Sequence, residues 1–326
     1  MDTALFSDIV GQDAAKQMLA SALLVHRHVI LVGPPGVGKT TLAKNVARLL
    51  ESMELMDCSY HCDPKKPICS QCLKKKSDLK AISGEKRFVR IQGSPDLAVE
   101  DLLGDIDPAK ALAFGPLSIE AFTPGKIFKA NHGVLFFDEL NRAPEKLQNA
   151  LLQVLEEGYA TLGSYQVEIP VNFVFIGTMN PEETAATENL SDVFLDRFDV
   201  IHLSWPKTVQ EEEVIVKQKA HLPVPLPDPL LKAILSFVHS LREHSDVVKH
   251  PSVRASIGLC ERASALASLR HAKAATPQDV VACIVSVLAH RIELRSQVRH
   301  AVTPESFVEQ AFQDFLVQHP DVGGYL

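Results

Sequence analysis

Short runs of consecutive apolar residues alternate along the first part of the chain with stretches in which apolar positions recur every three or four residues. Val29–Val32, Val134–Phe137 and the N-F-V-F-I-G-T-M stretch at 172–179 each read as a strand buried on both faces. F-V-R-I-Q at 88–92 alternates, as a strand does when one face meets water. Amphipathic helices are predicted between them. One is D-A-A-K-Q-M-L-A-S-A-L-L-V, with Ser7 or Asp8 as its cap; another is T-L-A-K-N-V-A-R-L-L (41–50). A third, P-E-K-L-Q-N-A-L-L-Q-V-L-E-E-G, carries Leu147, Leu151, Leu152 and Leu155 on one face and Gly158 at its end. Strands separated by helices predict a parallel α/β sheet between helices.

After residue 206 the pattern becomes helical throughout, with the Pro-rich L-P-V-P-L-P-D-P (222–229) between two of the segments. The expected organisation is an α/β domain over 1–206, a helical domain over 207–296, and a terminal helix and tail over 297–326. Three segments interrupt the first domain. Residues 57–76 are rich in cysteine, and residues 104–125 read as an interrupted helix. Residues 159–170 alternate around Gly163-Ser164 and predict a β-hairpin.

The strand Val29–Val32 runs directly into Gly33-Pro34-Pro35-Gly36-Val37-Gly38-Lys39-Thr40, followed by Thr41 and the helix. This satisfies G-x-x-x-x-G-K-[ST] in the strand–loop–helix setting that a phosphate-binding loop requires. Glycines let successive N–H groups turn inward, and the helix start offers its positive dipole end to the same anion. Lys39 is placed to reach β- and γ-phosphates and the Thr40 hydroxyl to ligate Mg²⁺, so a nucleoside triphosphate is the expected ligand. The run 134–137 ends in Asp138 and Glu139, at the strand end where α/β sheets bind ligands. Asp138 suits Mg²⁺, and Glu139 suits polarising an attacking water. Asn180, closing the 172–179 run, either orients that water or only starts the turn before Pro181. Arg197 makes either a surface ion pair or a contact with a neighbouring subunit's γ-phosphate.

Four of the six cysteines fall in C-x3-C-x6-C-x2-C: Cys58, Cys62, Cys69 and Cys72. Two close pairs on Pro-containing loops bring four soft thiolates to one ion, and zinc in a structural role is the expectation, with His61 as a substitute ligand. An Fe–S cluster and transient disulfides are the alternatives. Cysteines clustered in this way fit a reducing cytoplasm rather than a disulfide framework. The 46% apolar and 22% charged composition is that of a soluble globular protein. A net charge of −7 gives no basic field for nucleic acid, and no apolar run approaches ~18 residues, so no membrane span is expected.

V-G-Q (10–12), G-P-P-G-V-G-K-T (33–40), F-T-P-G-K-I-F-K-A-N-H-G-V-L-F-F-D-E-L-N-R-A-P (122–144), G-T-M-N-P (177–181) and L-D-R-F-D (195–199) resemble the AAA+ ATPases of the MoxR and magnesium-chelatase ATPase-subunit group. S-V-R-A-S (252–256) and T-P-Q-D-V…L-A-H-R-I (276–292) extend the resemblance to about residue 295. It implies a P-loop AAA+ core with an α-helical lid, ATP and Mg²⁺ as cofactors, and a homo-oligomeric ring, a hexamer. Val10 and Gly11 would pack over adenine. Asn180 resembles the sensor 1 residue, Arg197 the arginine finger acting on the adjacent subunit, and Arg254 the sensor 2 arginine. The segments 104–125 and 159–170 resemble insertions that such rings point at substrates.

D-E-L-N-R-A-P-E-K-L-Q-N-A-L-L is closer to MoxR proteins, which implies chaperone-like remodelling with a von Willebrand A-domain partner. C-S-Y-H-C-D-P echoes a chelatase loop, which makes the motor subunit of a metal-insertion complex the alternative; typical MoxR proteins lack these cysteines. A DNA clamp-loader-like ATPase would also carry a four-cysteine module after the phosphate-loop helix. The L-D-R-F segment, both insertions and the acidic charge argue against it.

Overall fold

The computed structural model describes residues 6–74, 77–116, 118–161, 168–181 and 190–319. The chain forms two compact units: Met1–Ile9, Asp13–Gly33 and Gly38–Leu203 in one, Val10–Gln12, Pro34–Val37 and Ser204–Leu326 in the other.

In the first unit, β1 (Val29–Val32), β2 (Phe88–Gln92), β3 (Val134–Asp138), β4 (Val174–Met179) and β5 (Asp199–His202) form one sheet in the order β5-β1-β4-β3-β2. All four ladders are parallel; Leu31 lies between Thr178 and Ile201, and Phe137 between Gly177 and Ile91. The apolar runs follow from this. Val29 to Leu31 and Val134 to Phe137 are fully buried, because helices cover both faces of a parallel sheet. Parallel ladders also bring the carboxyl ends of all five strands to one edge. The strand β5, D-V-I-H, escapes the sequence pattern because only Ile201 of its four residues is buried.

Two local expectations change. The first helix starts at Asp13 and takes no cap from Ser7 or Asp8. The Asp8 carboxylate pairs with Arg48 at 2.6 Å, while Gly11 and Gln12 turn the chain at φ 63° and 60°. Residues 104–125 are not an interrupted helix. Gly104–Ile106 pairs antiparallel with Phe122–Pro124, and the ladder encloses a helix, Pro108–Phe114, capped by the Asp107 side chain. The Cys-rich segment stands on a hairpin of its own, Met53–Met56 against Leu79–Ile82. Tyr159–Thr161 pairs with Glu168–Pro170; the turn expected at Gly163-Ser164 lies outside the described residues.

The second unit is built on helices Val209–Lys219, Asp228–Glu243, Val253–Leu269, Pro277–Leu288 and Pro304–Gln318. Phe237 meets Phe312 and Phe315 at ring distances of 4.9 and 5.5 Å. Cys260 and Cys283 are buried in this core, and burial pushes their thiols up to about 12 and about 11. Two carboxylates of this unit are also buried, Asp279, which pairs with Arg270 at 2.6 Å, and Glu212. Glu212 accepts both arms of Arg242 at 2.6 and 2.9 Å, His239 Nε2 lies 2.7 Å away, and Ser256 Oγ donates to it. Burial alone would raise this carboxyl, but the bonds from His239, Arg242 and Ser256 together hold it at about 2. Three helices are thereby tied to one charge. Among the described residues no helix is long and apolar enough to cross a membrane.

Removing one member of such a buried pair leaves the other uncompensated. Glu212→Gln should cost about 3 kcal/mol of stability in chemical unfolding. Because the folded pKa lies below the ordinary 4.5, the pair's contribution is full above that pH and is lost as pH falls toward about 2. The acid-unfolding curve of Glu212→Gln should therefore be flatter over that window than that of the unsubstituted protein.

Candidate functional site

The end of β1 is held at its edge by Leu203 N donating to Val32 O at 2.7 Å and Gly33 N donating to Met179 O at 3.2 Å. A Cβ on Gly33 would stand 2.6 Å from Leu203 O, so no larger residue fits there. Gly36 and Gly38 take φ 79° and 97°, conformations that residues with a Cβ rarely adopt, and Gly38 starts the helix Lys39–Leu49. The N–H groups of Lys39, Thr40 and Thr41 belong to the first turn, where an α-helix has no intrahelical acceptors. The Lys39 ammonium donates back across the loop to Gly33 O. The loop backbone and one ammonium thus converge at a helix N-terminus, where unpaired N–H groups and the helix dipole favour an anion.

Pro34, Pro35, Gly36 and Val37 pack within the second unit. Trp205 Nε1 donates to Pro35 O at 3.5 Å. Ser252 and the Arg254 side chain lie 3.2 and 3.6 Å from the Cβ position of Gly36. Arg254, in the first turn of the helix Val253–Leu269, is therefore beside the glycine loop. Val10 and Gly11 belong to the same unit, where a Cβ on Gly11 would stand 3.2 Å from the Glu211 carboxylate.

The acids at the end of β3 are held by neighbouring strands. Thr178, fully buried in β4, donates to Asp138 Oδ1 at 2.6 Å and accepts from Glu139 N at 2.9 Å. Arg90 Nη2, from β2, donates to Asp138 Oδ2 at 2.5 Å. Glu139 takes a left-handed conformation, φ 55°, which costs a residue with a Cβ about 1 kcal/mol. Its Oε2 accepts from Gln92 Nε2 at 2.8 Å and Arg142 Nη1 at 2.9 Å. Gly93 leaves room for this turn: a Cβ there would collide with Glu139 O. Asn180 follows β4 directly, on the same edge.

Arg197 stands elsewhere. It precedes β5, whose first residue, Asp199, is level with Val29 at the start of β1, so it lies at the opposite edge of the sheet from the acids. There it bonds to Glu156 and to Val193 O. A four-residue strand spans about 13 Å, which keeps this guanidinium away from Glu139 of its own chain.

The four clustered cysteines come together, with their sulfur atoms all within 4.8 Å of one another. Cys62, Cys69 and Cys72 are buried, and Tyr60, between Cys58 and Cys62 in the chain, packs on Phe122 and Phe128 at 6.3 and 5.2 Å. Cys62 N and Ile68 N donate to the sulfurs of Cys58 and Cys62, each at 3.4 Å. The Cys62 thiol donates to Cys58, which holds Cys58 down at about 4 and pushes Cys62 up. His61 is beside them with φ 45°, but it is not one of the clustered donors.

Thr178, Arg90, Gln92, Gly93 and Arg142 were not anticipated as site residues. Their signals are weak ones. Thr178 is the one polar side chain in the V-F-I-G-T-M strand, and Arg90 and Gln92 alternate onto one face of β2.

Comparison with known proteins places this geometry in a family. Residues 5–68 match the family model for the magnesium chelatase subunit ChlI, 69–200 that for the ATPase family associated with various cellular activities (AAA), and 241–311 that for the AAA lid domain. The magnesium-chelatase subunit ChlI homolog of Methanocaldococcus jannaschii is 28% identical over 96% of this chain and 92% of its own. The chaperone MoxR1 of Mycobacterium tuberculosis is 27% identical over 94% of this chain and 78% of its own. The solved structure of NtrX from Brucella abortus in complex with ADP superposes with a TM-score of 0.52 at 17% identity, over 95% of this chain and 62% of that one, a likeness of fold. With a phosphate loop, a five-stranded parallel sheet and a helical lid in place, the chain is an ATP-binding AAA+ ATPase of the MoxR and magnesium-chelatase group.

Proposed function

We propose that this chain is a Mg²⁺-dependent ATP-hydrolysing ring motor of MoxR type, cytoplasmic, that remodels a client or partner protein. The observation that carries the reading is the pair Asp138 and Glu139, fixed through Thr178 at the same sheet edge as the phosphate loop. The donor set there, a carboxylate at a strand end and the Thr40 hydroxyl, is the hard oxygen kind that Mg²⁺ prefers. Mg²⁺ held with ATP by Thr40 and Asp138 would neutralise phosphate oxygens. Lys39 and the first-turn N–H groups bind and orient the phosphates, and Arg254 supports the loop from beside Gly36. Glu139 takes the proton of the attacking water, with Asn180 as a second polar group on that edge. Val10 and Gly11 enclose the base.

Arg197 serves the neighbour's site, since the length of the sheet separates it from its own. A site shared in this way suits a homo-oligomeric ring, and a hexamer is the assembly that the family resemblance implies. Remodelling is supported by the helix Pro108–Phe114, which has no buried residue and leaves Leu112 92% and Phe114 60% exposed. Such apolar side chains on an insertion suit transient contact with a protein client, and a von Willebrand A-domain protein is the partner expected of MoxR-type ATPases. A chelatase-type motor is the second reading, favoured by the match of residues 5–68 to the ChlI model.

The cysteine cluster is read as structural zinc. Tetrahedral Zn–S bonds of about 2.3 Å place sulfurs about 3.8 Å apart, within the 4.8 Å spread seen here. Four protein ligands leave no open position for catalysis. Purified protein should contain one zinc per chain. The pair Cys62→Ser and Cys69→Ser should abolish that content and lower the melting temperature by several degrees, because the aromatic contacts of Tyr60 depend on the cluster's shape. A full-stability, metal-free protein would remove this assignment.

Glu139→Gln should bind ATP as the unsubstituted chain does and lose at least about 100-fold in turnover. Loaded with Mg·ATP and used as bait in cell extract, it should retain a von Willebrand A-domain protein; a large tetrapyrrole-binding subunit in its place decides for the chelatase motor. Arg197→Ala should be inactive alone, as should Glu139→Gln. An equimolar mixture of the two should regain measurable hydrolysis, because some interfaces then pair an intact Glu139 with a neighbour's intact Arg197; no regain would exclude a shared site.

A further inference from the structure

Arg90 stands in β2, one of the two edge strands of the sheet, and is half-exposed. Its Nη2 makes two bonds, to Asp138 Oδ2 at 2.5 Å and to Gln92 Oε1 at 3.2 Å. The second bond orients an amide. With its oxygen held by Arg90, Gln92 presents Nε2 to Glu139 Oε2 at 2.8 Å. Thr178 engages the other oxygen of Asp138. Both oxygens of the proposed metal-binding acid are thus taken, one of them by a cation, and that cation also positions the group restraining the proposed catalytic base.

We propose that Arg90 is a positioning residue that couples divalent-cation binding at Asp138 to release of Glu139 from Gln92. The inference rests on the roles read above for these two acids. A guanidinium and a divalent ion compete for one carboxylate charge, so the clamped arrangement disfavours the metal and the metal-bound arrangement disfavours the clamp. Once Arg90 is drawn off Asp138, the Gln92 oxygen loses its donor and the amide is no longer fixed toward Glu139. Glu139 is therefore held idle until the site is loaded. Linkage makes the effect reciprocal: weakening the Gln92–Glu139 end must also favour metal binding, although Gln92 does not touch Asp138.

The test is a Mn²⁺ titration of the full chain saturated with ADP, read by the electron paramagnetic resonance signal of free Mn²⁺. Asp138→Ala must weaken Mn²⁺ binding; if it does not, the metal reading itself is wrong, whatever Arg90 does. Given that control, Arg90→Ala should bind Mn²⁺ about fivefold tighter, the equivalent of ~1 kcal/mol for a half-exposed pair. Gln92→Ala should tighten it by about twofold in the unsubstituted background and not at all in the Arg90→Ala background. Arg90→Lys keeps the charge against Asp138 but has no fork to reach Gln92, and should match Gln92→Ala. It also serves if Arg90→Ala folds poorly. Unchanged or weaker Mn²⁺ binding in Arg90→Ala, or equal effects of Gln92→Ala in both backgrounds, would overturn the proposal.

Discussion

A single buried hydroxyl organises the chemical edge of this molecule. Thr178 is sealed from water, so both its donor and its acceptor capacity must be met inside the protein. It meets them with Asp138 Oδ1 and Glu139 N, the side chain of one acid and the backbone of the next. That pair of bonds sets how far β3 projects beyond β4, and it holds Glu139 in its left-handed turn. Because β4 lies between β1 and β3, the same strand also carries Met179, whose carbonyl receives Gly33 N at the mouth of the phosphate loop. Anion loop and acid pair are thus referenced to one strand. Shifting that strand by a residue would separate them.

The parts of the site that could be read from the chain are those whose chemistry is local. Gly33, Gly36 and Gly38 are legible because backbone curvature and close approach exclude a Cβ, and the requirement is written in consecutive positions. Asp138 and Glu139 are legible because they end an apolar run. The ties among Thr178, Arg90, Gln92 and Arg142 were not legible, since each depends on which strands lie side by side, and β4 comes after β3 in sequence yet sits between β3 and β1. Strand β5 was missed because a half-exposed four-residue edge has no pattern. Residues 104–125 misled for a different reason. A-K-A-L-A-F does favour a helix, but the three-residue strands around it exist only because Gly104, at φ 108°, and Gly125 allow two backbones to touch.

The second unit solves another problem, that of ordering helices whose apolar faces alone would tolerate sliding. A buried carboxylate with a guanidinium, an imidazole and a hydroxyl around it has a directional answer, where packed leucines have many. Arg242 also lies over the Trp205 ring at 5.6 Å and donates to Pro251 O, so the charge network reaches the residue that bonds Pro35. Packing of the helical core and the shape of residues 34–37 are thus continuous.

The cysteine-bearing hairpin has a consequence for how this chain tolerates change. Ordinary surface loops can be shortened at small cost, since they bury little. Here Tyr60 is driven inward among Phe122 and Phe128, and Asn131 Nδ2 holds its carbonyl at 3.1 Å while Asn131 Oδ1 receives Asn172 N at 2.8 Å. The segment is therefore a wedge in the sheet's own core and not a cassette fastened outside it. Trimming residues 57–76 to a tight turn would open a void beneath the segment that leads into β3.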